Sequence, residues 1–290
     1  MTTITVLGLG TMGRRIAEAI AAAGHQVRGF DPSAAARDAA VADGIEVAPS
    51  AEDVVPGAEL IVLSLPRPEH VLEAAAGPLS RADSGAVVAD LSTIDPGSAR
   101  RAAAILAEKK IGYVDAPVLG RPDKIGNWTL PVGGSDSDYQ RVVAILQGTA
   151  AAKVIKVGDV GAGSVIKVLN NLMFGAINAI TAEAMVACRL AGVDPETFAH
   201  TVSESGAATV SNLFKELTPK LVKDDYEPAF ALALLTKDNR LALQLAQEVG
   251  AHVPMAEAID KINSAAMELG YDDRDTGVIQ ELYRSRARTV

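Results

Sequence analysis

The chain has 290 residues, 49% of them hydrophobic and 4% aromatic, with one cysteine and a formal net charge of −9. That length and composition suffice for two medium domains or one large one with a sizeable core. An acidic chain lacks the Lys and Arg excess that displaces counterions from nucleic acid, so no nucleic-acid partner is expected. A lone Cys188 makes neither an internal disulfide nor a cysteine-based zinc site, and it fits a reducing, cytoplasmic compartment.

Residues 3–8 form a short β-branched apolar run that reads as a buried parallel strand. No basic flank or cleavage site precedes it, so no leader peptide is expected. A glycine turn follows, then helical rhythm from Arg14 to Ala23 closed by Gly24, then a second strand from Gln26 to Phe30. Together they make a βαβ unit. Further strands are expected at Leu60–Leu65, Ala86–Leu91 and Gly112–Asp115, with weaker ones at Leu130–Gly133 and Lys153–Val157. Helices at Pro96–Glu108 and Asp136–Gln147 fill gaps between them, and the alternation predicts a parallel, doubly wound sheet. From Ser164 to Leu190 the sequence is continuous helix former, about 40 Å of helix at 1.5 Å per residue. Helical segments are then expected at Pro195–Val202, Val210–Lys223, Leu232–Glu248 and Met255–Leu269. The fold expected is an α/β Rossmann domain over residues 1–160 and an all-helical substrate and dimerisation domain over residues 161–290, joined by the long helix. So long an apolar helix with so few others to cover it points to a homodimer or homotetramer. No uninterrupted apolar run of about 20 residues occurs, so no membrane span is expected. His25, His70, His200 and His252 are scattered without ligand spacing, so no metal is expected. Arg284, Arg286 and Arg288 read as a solvated tail.

Gly8-Leu9-Gly10-Thr11-Met12-Gly13 fits G-x-G-x-x-G between a strand and a helix, with Asp31 at the end of the next strand. That context makes it a dinucleotide fingerprint: Gly8 for the tight turn, Gly10 for approach of the pyrophosphate, Gly13 for helix–strand packing. The helix N-terminus supplies N–H groups and a positive dipole end for the phosphates. Asp31 can accept hydrogen bonds from ribose hydroxyls and would repel a 2′-phosphate, which favours NAD; nearby Arg28 and Arg37 leave NADP open.

With Ser92-Thr93, Asp115-Ala116-Pro117-Val118, Gly161-x-Gly163-x-x-x-Lys167-x-x-Asn170-Asn171 and Lys237-Asp238 in order, the whole chain resembles the β-hydroxyacid dehydrogenases. The resemblance implies a Rossmann domain followed by a helical domain, and hydride transfer between NAD(P) and a small 3-hydroxy acid or its aldehyde. It implies that Lys167 is the general acid/base. A lysine can take or return the hydroxyl proton if its surroundings lower its pKa toward the working pH. Asn170 and Asn171, three and four residues on, lie beside it on a helix. The resemblance further implies that Leu65, Pro66, Thr93 and Lys237 lie against the cofactor, with Ser92 beside the substrate and Asp238 assisting. A capping role ahead of Pro96 is the other reading of Ser92 and Thr93.

The chain departs from the family where Asp-Ala-Pro-Val usually continues as Ser-Gly-Gly. Here Val118 is followed by Leu119, Gly120 and Arg121. Arg121 can clamp a carboxylate, sulfonate or phosphate, face solvent, or pair with Asp123. Trp128 reads as core packing or as a pocket wall. The departure keeps two rivals open: a reductase for another carbonyl or imine, and a non-catalytic NAD-binding scaffold. Retention of Lys167 argues against an imine substrate.

Overall fold

A computed structural model describes residues 2–206, 209 and 211–286. The chain divides into two compact units, Met1–Lys167 and Val168–Val290.

In the first unit the strands are β1 (Thr3–Leu7), β2 (Gln26–Phe30), β3 (Glu46–Val47), β4 (Leu60–Leu63), β5 (Val87–Asp90), β6 (Gly112–Asp115), β7 (Trp128–Gly133) and β8 (Ala151–Gly158). Between them run α1 (Thr11–Ala22), α2 (Ala34–Ala42), α3 (Ala51–Val54), α4 (Pro68–Ala76), α5 (Pro96–Ala107) and α6 (Asp136–Leu146). The sheet order is β3-β2-β1-β4-β5-β6-β7-β8. The first six strands are mutually parallel, as expected. β7 instead runs antiparallel to β6, and β8 is parallel to β7, so the sheet is mixed. The two-residue β3 is too short to leave a period in the sequence.

Side-chain alternation explains why β1, β4 and β5 are apolar throughout. Ile4, Val6, Leu60, Val62, Val87 and Ala89 enter one core cluster, while Leu7, Ile61, Leu63 and Val88 enter another. Period-2 alternation puts these sets on opposite faces, so both faces are covered by helices, as parallel strands require. Ser33, Ser50, Asp95 and Ser135 cap α2, α3, α5 and α6 by accepting N–H bonds; each is worth about 1 kcal/mol.

The long helix α7 (Ala162–Leu190) runs through the division between the units. The second unit continues with α8 (Pro195–Glu204), α9 (Asn212–Lys223), α10 (Leu232–Glu248), α11 (Pro254–Met267) and α12 (Ile279–Arg286). Its core draws Ala179, Ala182 and Met185 from α7, Leu217 and Leu221 from α9, and Ile279 and Leu282 from α12. By length and composition alone α7 is apolar enough to cross a membrane, with mean hydropathy 1.3. Buried polar side chains on it are paired within the protein; Asn178, for one, donates to the Thr276 carbonyl at 2.7 Å. The expected helix start at Val210 lies outside the described residues. The expected solvated tail is corrected: Arg284 belongs to α12 and pairs with Asp224 at 2.7 Å and Glu281 at 2.6 Å. Arg286 ends α12, and Arg288 lies outside the described residues.

Candidate active site

The parallel register aligns four strand ends at one edge of the sheet: Leu7 opposite Leu63, Leu63 opposite Asp90, and Asp90 opposite Asp115. The turns that follow therefore lie in one row: Gly8–Gly13, Ser64–Pro66, Leu91–Thr93 and Ala116–Val118. Between β1 and β4 the strand order reverses, which is where open α/β sheets bind ligands.

The three glycines of the first turn have different physical reasons. A Cβ on Gly8, at φ +92°, would lie 2.2 Å from the Ser64 carbonyl oxygen, and one on Gly13 would lie 1.8 Å from the Gly8 oxygen. Both are dictated by the fold. A Cβ on Gly10 would meet nothing within 4 Å, so the protein's own packing does not call for glycine there. Gly10 is also the N-cap of α1 and offers no side-chain cap, so the N–H groups of the first turn, Thr11 to Gly13, are left for another acceptor. A phosphate fits both observations. Leu9 and Met12 turn their side chains toward the core, leaving the backbone as their contribution.

Asp31 secures this turn. Its carboxylate accepts the Leu9 N–H and the Ser33 N–H, each at 2.8 Å. An ionised carboxylate has about four acceptor sites, so capacity for ribose hydroxyls remains. Of the two arginines that bear on NADP, Arg28 is drawn to the Pro56 carbonyl. Arg37 donates to the Asp31 and Pro32 carbonyls and lies over the Phe30 ring.

At the next two strand ends, the Leu65 N–H donates to Ser92 Oγ at 2.9 Å. Asp90, fully buried, accepts from the Ser92 N–H at 2.9 Å and the Tyr113 hydroxyl at 2.7 Å. Burial pushes the Asp90 carboxyl above its ordinary range against these hydrogen bonds, and burial beside Asp90 pushes the Tyr113 phenol well above its own. Ser92 thus ties the Leu65-Pro66 turn to β5, and half-buried Thr93 follows it in the same row. Neither Ser92 nor Thr93 caps the helix ahead; Asp95 does, through the Ser98 N–H.

Past β6 the chain forms a ribbon. Leu119 and Thr129 exchange backbone hydrogen bonds, continuing the register that pairs Asp115 with Gly133. Trp128, fully buried, underlies the turn: its indole N–H donates to the Arg121 carbonyl at 2.7 Å, and a Cβ on Gly120 would lie 2.2 Å from its ring. Trp128 is therefore a core residue that also holds the loop. Asp123 pairs with Lys124 at 3.2 Å, and its hydrogen bond with Lys124, with a smaller contribution from the Arg121 charge, holds its carboxyl below the ordinary range. Lys167, on the second turn of α7, donates from Nζ to the Val118 carbonyl at 2.7 Å.

In the second unit, Asn171 is buried and exposed Asn170 precedes it. The Asn170 amide donates to Asn171 Oδ1 at 3.2 Å, and Asn171 Nδ2 donates to Asp238 Oδ2 at 2.6 Å. Lys237 pairs with Asp238 Oδ1 at 3.0 Å. Asp238, 3% exposed, is thus the acceptor on which this group converges.

Four contributors escaped sequence reasoning in these roles: Asp90, Tyr113, Trp128 and Asp115. Asp115 accepts N–H bonds from Gly161 and Ser164. No local pattern reports partners 46 and 49 residues away. Among the described residues no His, Cys, Asp and Glu group could hold a metal.

Two family models match the chain. The NAD binding domain of 6-phosphogluconate dehydrogenase matches residues 3–158, and the NAD-binding model of NADP-dependent 3-hydroxyisobutyrate dehydrogenase matches residues 161–283. The chain is 32% identical to 2-(hydroxymethyl)glutarate dehydrogenase of Eubacterium barkeri, covering 93% of this chain and 91% of that protein. It is 32% identical to 3-hydroxyisobutyrate dehydrogenase of Pseudomonas aeruginosa, over 99% and 100%. Among solved structures, Mycobacterium tuberculosis 3-hydroxyisobutyrate dehydrogenase with L-serine superposes with a TM-score of 0.89 at 30% identity, over 99% of this chain and 100% of that one.

Proposed function

We propose that this chain, which belongs to the β-hydroxyacid dehydrogenase family, interconverts a small 3-hydroxy acid and its semialdehyde or ketone with Lys167 as the proton-transfer group. The observation that carries the reading is the placement of Lys167: its ammonium is held at the Val118 carbonyl, on the strand-end row that also carries the glycine turn and Ser92-Thr93. When bound, the nicotinamide supplies hydride chemistry at the substrate carbon. As the neutral amine, Lys167 takes the hydroxyl proton as the carbonyl forms, and as the ammonium it returns that proton in the opposite direction. Asn170 and Asn171, about one helical turn further along α7, orient substrate oxygens; the buried Asp238 acceptor holds the Asn171 amide in place. The test is absorbance at 340 nm with NAD and 3-hydroxyisobutyrate, L-serine or 2-(hydroxymethyl)glutarate. NADH binding without turnover of any hydroxy acid or aldehyde would support the scaffold alternative.

The preference for NAD rests on Asp31. Its carboxylate is fixed by two N–H donors at the end of β2, where a 2′-phosphate would meet a like charge. Asp31→Asn is expected to lower the NAD over NADP ratio of kcat/KM by at least about tenfold, about 1.4 kcal/mol. An unchanged ratio would remove Asp31 from cofactor selection.

Arg121 is the proposed selector of substrate. Its backbone is held by Trp128 and its side chain replaces a small residue of the family pattern, which suits a substrate carrying a second acidic group. Arg121→Ala is expected to raise KM for the dicarboxylate 2-(hydroxymethyl)glutarate at least about tenfold, in line with loss of a charged hydrogen-bonding partner. KM for monocarboxylate 3-hydroxyisobutyrate should move much less; equal changes for both would argue against selection by Arg121. The reading includes a cytoplasmic protein that self-associates through residues 161–290. Leu169, Met173 and Ile180, 44%, 65% and 60% exposed, make an apolar stripe on one face of α7 that supports pairing of copies.

A further inference from the structure

We infer that Asp115 is a positioning residue: it fixes the start of α7, and through it the ammonium of Lys167. The inference rests on the reading of Lys167 as the proton-transfer group. Asp115 ends β6, opposite Gly133, which ends β7; Gly133 in turn pairs with Gly158, which ends β8. Three strand ends therefore meet at this carboxylate. It is 1% exposed, and its two oxygens are committed to α7: Oδ1 accepts the Gly161 N–H at 2.7 Å and Oδ2 the Ser164 N–H at 2.6 Å. Those donors are the N-cap and third residues of the helix, which a residue at the N-cap itself ordinarily helps to satisfy. Gly161 has no side chain to do so, and a carboxylate 46 residues upstream takes its place.

Close packing makes this junction stiff. A Cβ on Gly133 would lie 2.5 Å from Asp115 Oδ1, and one on Gly163 would lie 2.4 Å from the Pro131 oxygen and 2.7 Å from the Asp115 oxygen. Lys167 stands three residues beyond Ser164. Its ammonium is bonded to Val118, three residues beyond Asp115. One residue thus sets both the root of the lysine, through the helix start, and the carbonyl that receives its tip, through the strand end. General acid–base catalysis is sensitive to this placement, because proton transfer needs the groups within hydrogen-bond reach.

The carboxylate is held against its burial. Burial pushes Asp115 up to about 6, although backbone hydrogen bonds from Gly161 and Ser164 oppose the rise. Asp90, Asp95 and Asp115 all act on buried Tyr113, and Arg100 lies beside Gly161. With a folded pKa above the unfolded value of about 3.9, the protonated form favours the folded state. That stabilisation is complete below about 3.9 and is lost as pH rises through about 6. An amide in its place has one acceptor oxygen and an NH2 donor, so it can accept only one of the two N–H bonds that the carboxylate accepts.

The test is Asp115→Asn, with acetylation of Lys167 by acetic anhydride at pH 8 read by mass spectrometry against exposed Lys153 of the same chain. We expect Lys167 labelling to rise at least about fivefold, a cooperative melt showing that the variant is folded, and NADH affinity to stay within about twofold. On whichever of the three hydroxy acids turns over, kcat should fall about tenfold or more with a smaller change in KM. Unchanged labelling in a folded variant overturns the inference, as does a kcat that falls only with the folded fraction. Asp115→Ser, smaller and polar, repeats the comparison if the amide fails to fold. Lys167→Met separates the two claims. If that variant keeps its turnover, the assignment of Lys167 fails, while the labelling result still decides whether Asp115 positions it.

Discussion

Lys167→Met is expected to lower kcat for hydroxy-acid oxidation by about 10²- to 10⁴-fold, the range that one general acid–base group supplies. Methionine keeps the unbranched stem and is a good helix former, so α7 should retain its start. What disappears is the ammonium that donates to Val118 at 2.7 Å. The glycine turn and Asp31 follow β1 and β2, away from α7 in sequence, so NADH affinity, read by fluorescence titration, should change less than about twofold. A variant retaining more than about a tenth of its kcat would show that the proton travels by another group. Loss of the hydrogen bond itself should cost only about 1 kcal/mol of stability, so a cooperative melt close to that of the native chain is expected.

The second large effect belongs to the glycine turn, where a paired comparison separates fold from ligand. Gly13→Ala places a methyl 1.8 Å from the Gly8 carbonyl oxygen, backbone that cannot rotate away. The first turn of α1 must move off β1. We expect a destabilisation of about 2–4 kcal/mol in urea unfolding, and NADH affinity lower by at least about a hundredfold. Gly10→Ala meets nothing within 4 Å and should fold with stability within about 1 kcal/mol of the native chain. If the pyrophosphate passes over residue 10, that well-folded variant still loses NADH affinity. Gly10→Ala that binds NADH normally would contradict the phosphate placement.

Local signals explain what the sequence made readable. Strands buried on both faces leave runs such as Leu60–Leu63 and Val87–Asp90, and the glycine turn announces itself because packing leaves no room for a Cβ at Gly8 and Gly13. Lys167 and Asn171 are visible because helical spacing keeps them within one motif. The direction of β7 was not readable, since a single residue pair joins it to β6 and an apolar run does not encode its orientation. Nor were Asp90 and Asp115 visible as structural acceptors. Each acts on groups brought close by topology, and a buried aspartate at a strand end looks in sequence like any turn residue. Trp128 shows the limit from another side: its burial was foreseeable, but its hydrogen bond to Arg121 depends on the ribbon closing above it.

The antiparallel joint between β6 and β7 has a consequence for how such a protein can diverge. Neighbouring parallel strands need a crossover, and each crossover here carries a helix packed on a face of the sheet, so altering one disturbs the core. β6 and β7 are joined directly, with Leu119 and Thr129 closing the ribbon and residues 120–127 outside it. None of these eight lies on a crossover between parallel strands, although several are tied down: a Cβ on Gly120 would lie 2.2 Å from the Trp128 ring, the Pro122 carbonyl accepts from Arg15 of α1, and Ile125 packs against the core. On the proposal that Arg121 selects the substrate, that choice lies on a stretch of chain apart from the glycine turn and Lys167. Substitution of Arg121 would then exchange one acid for another while the cofactor turn and the lysine go on unaltered.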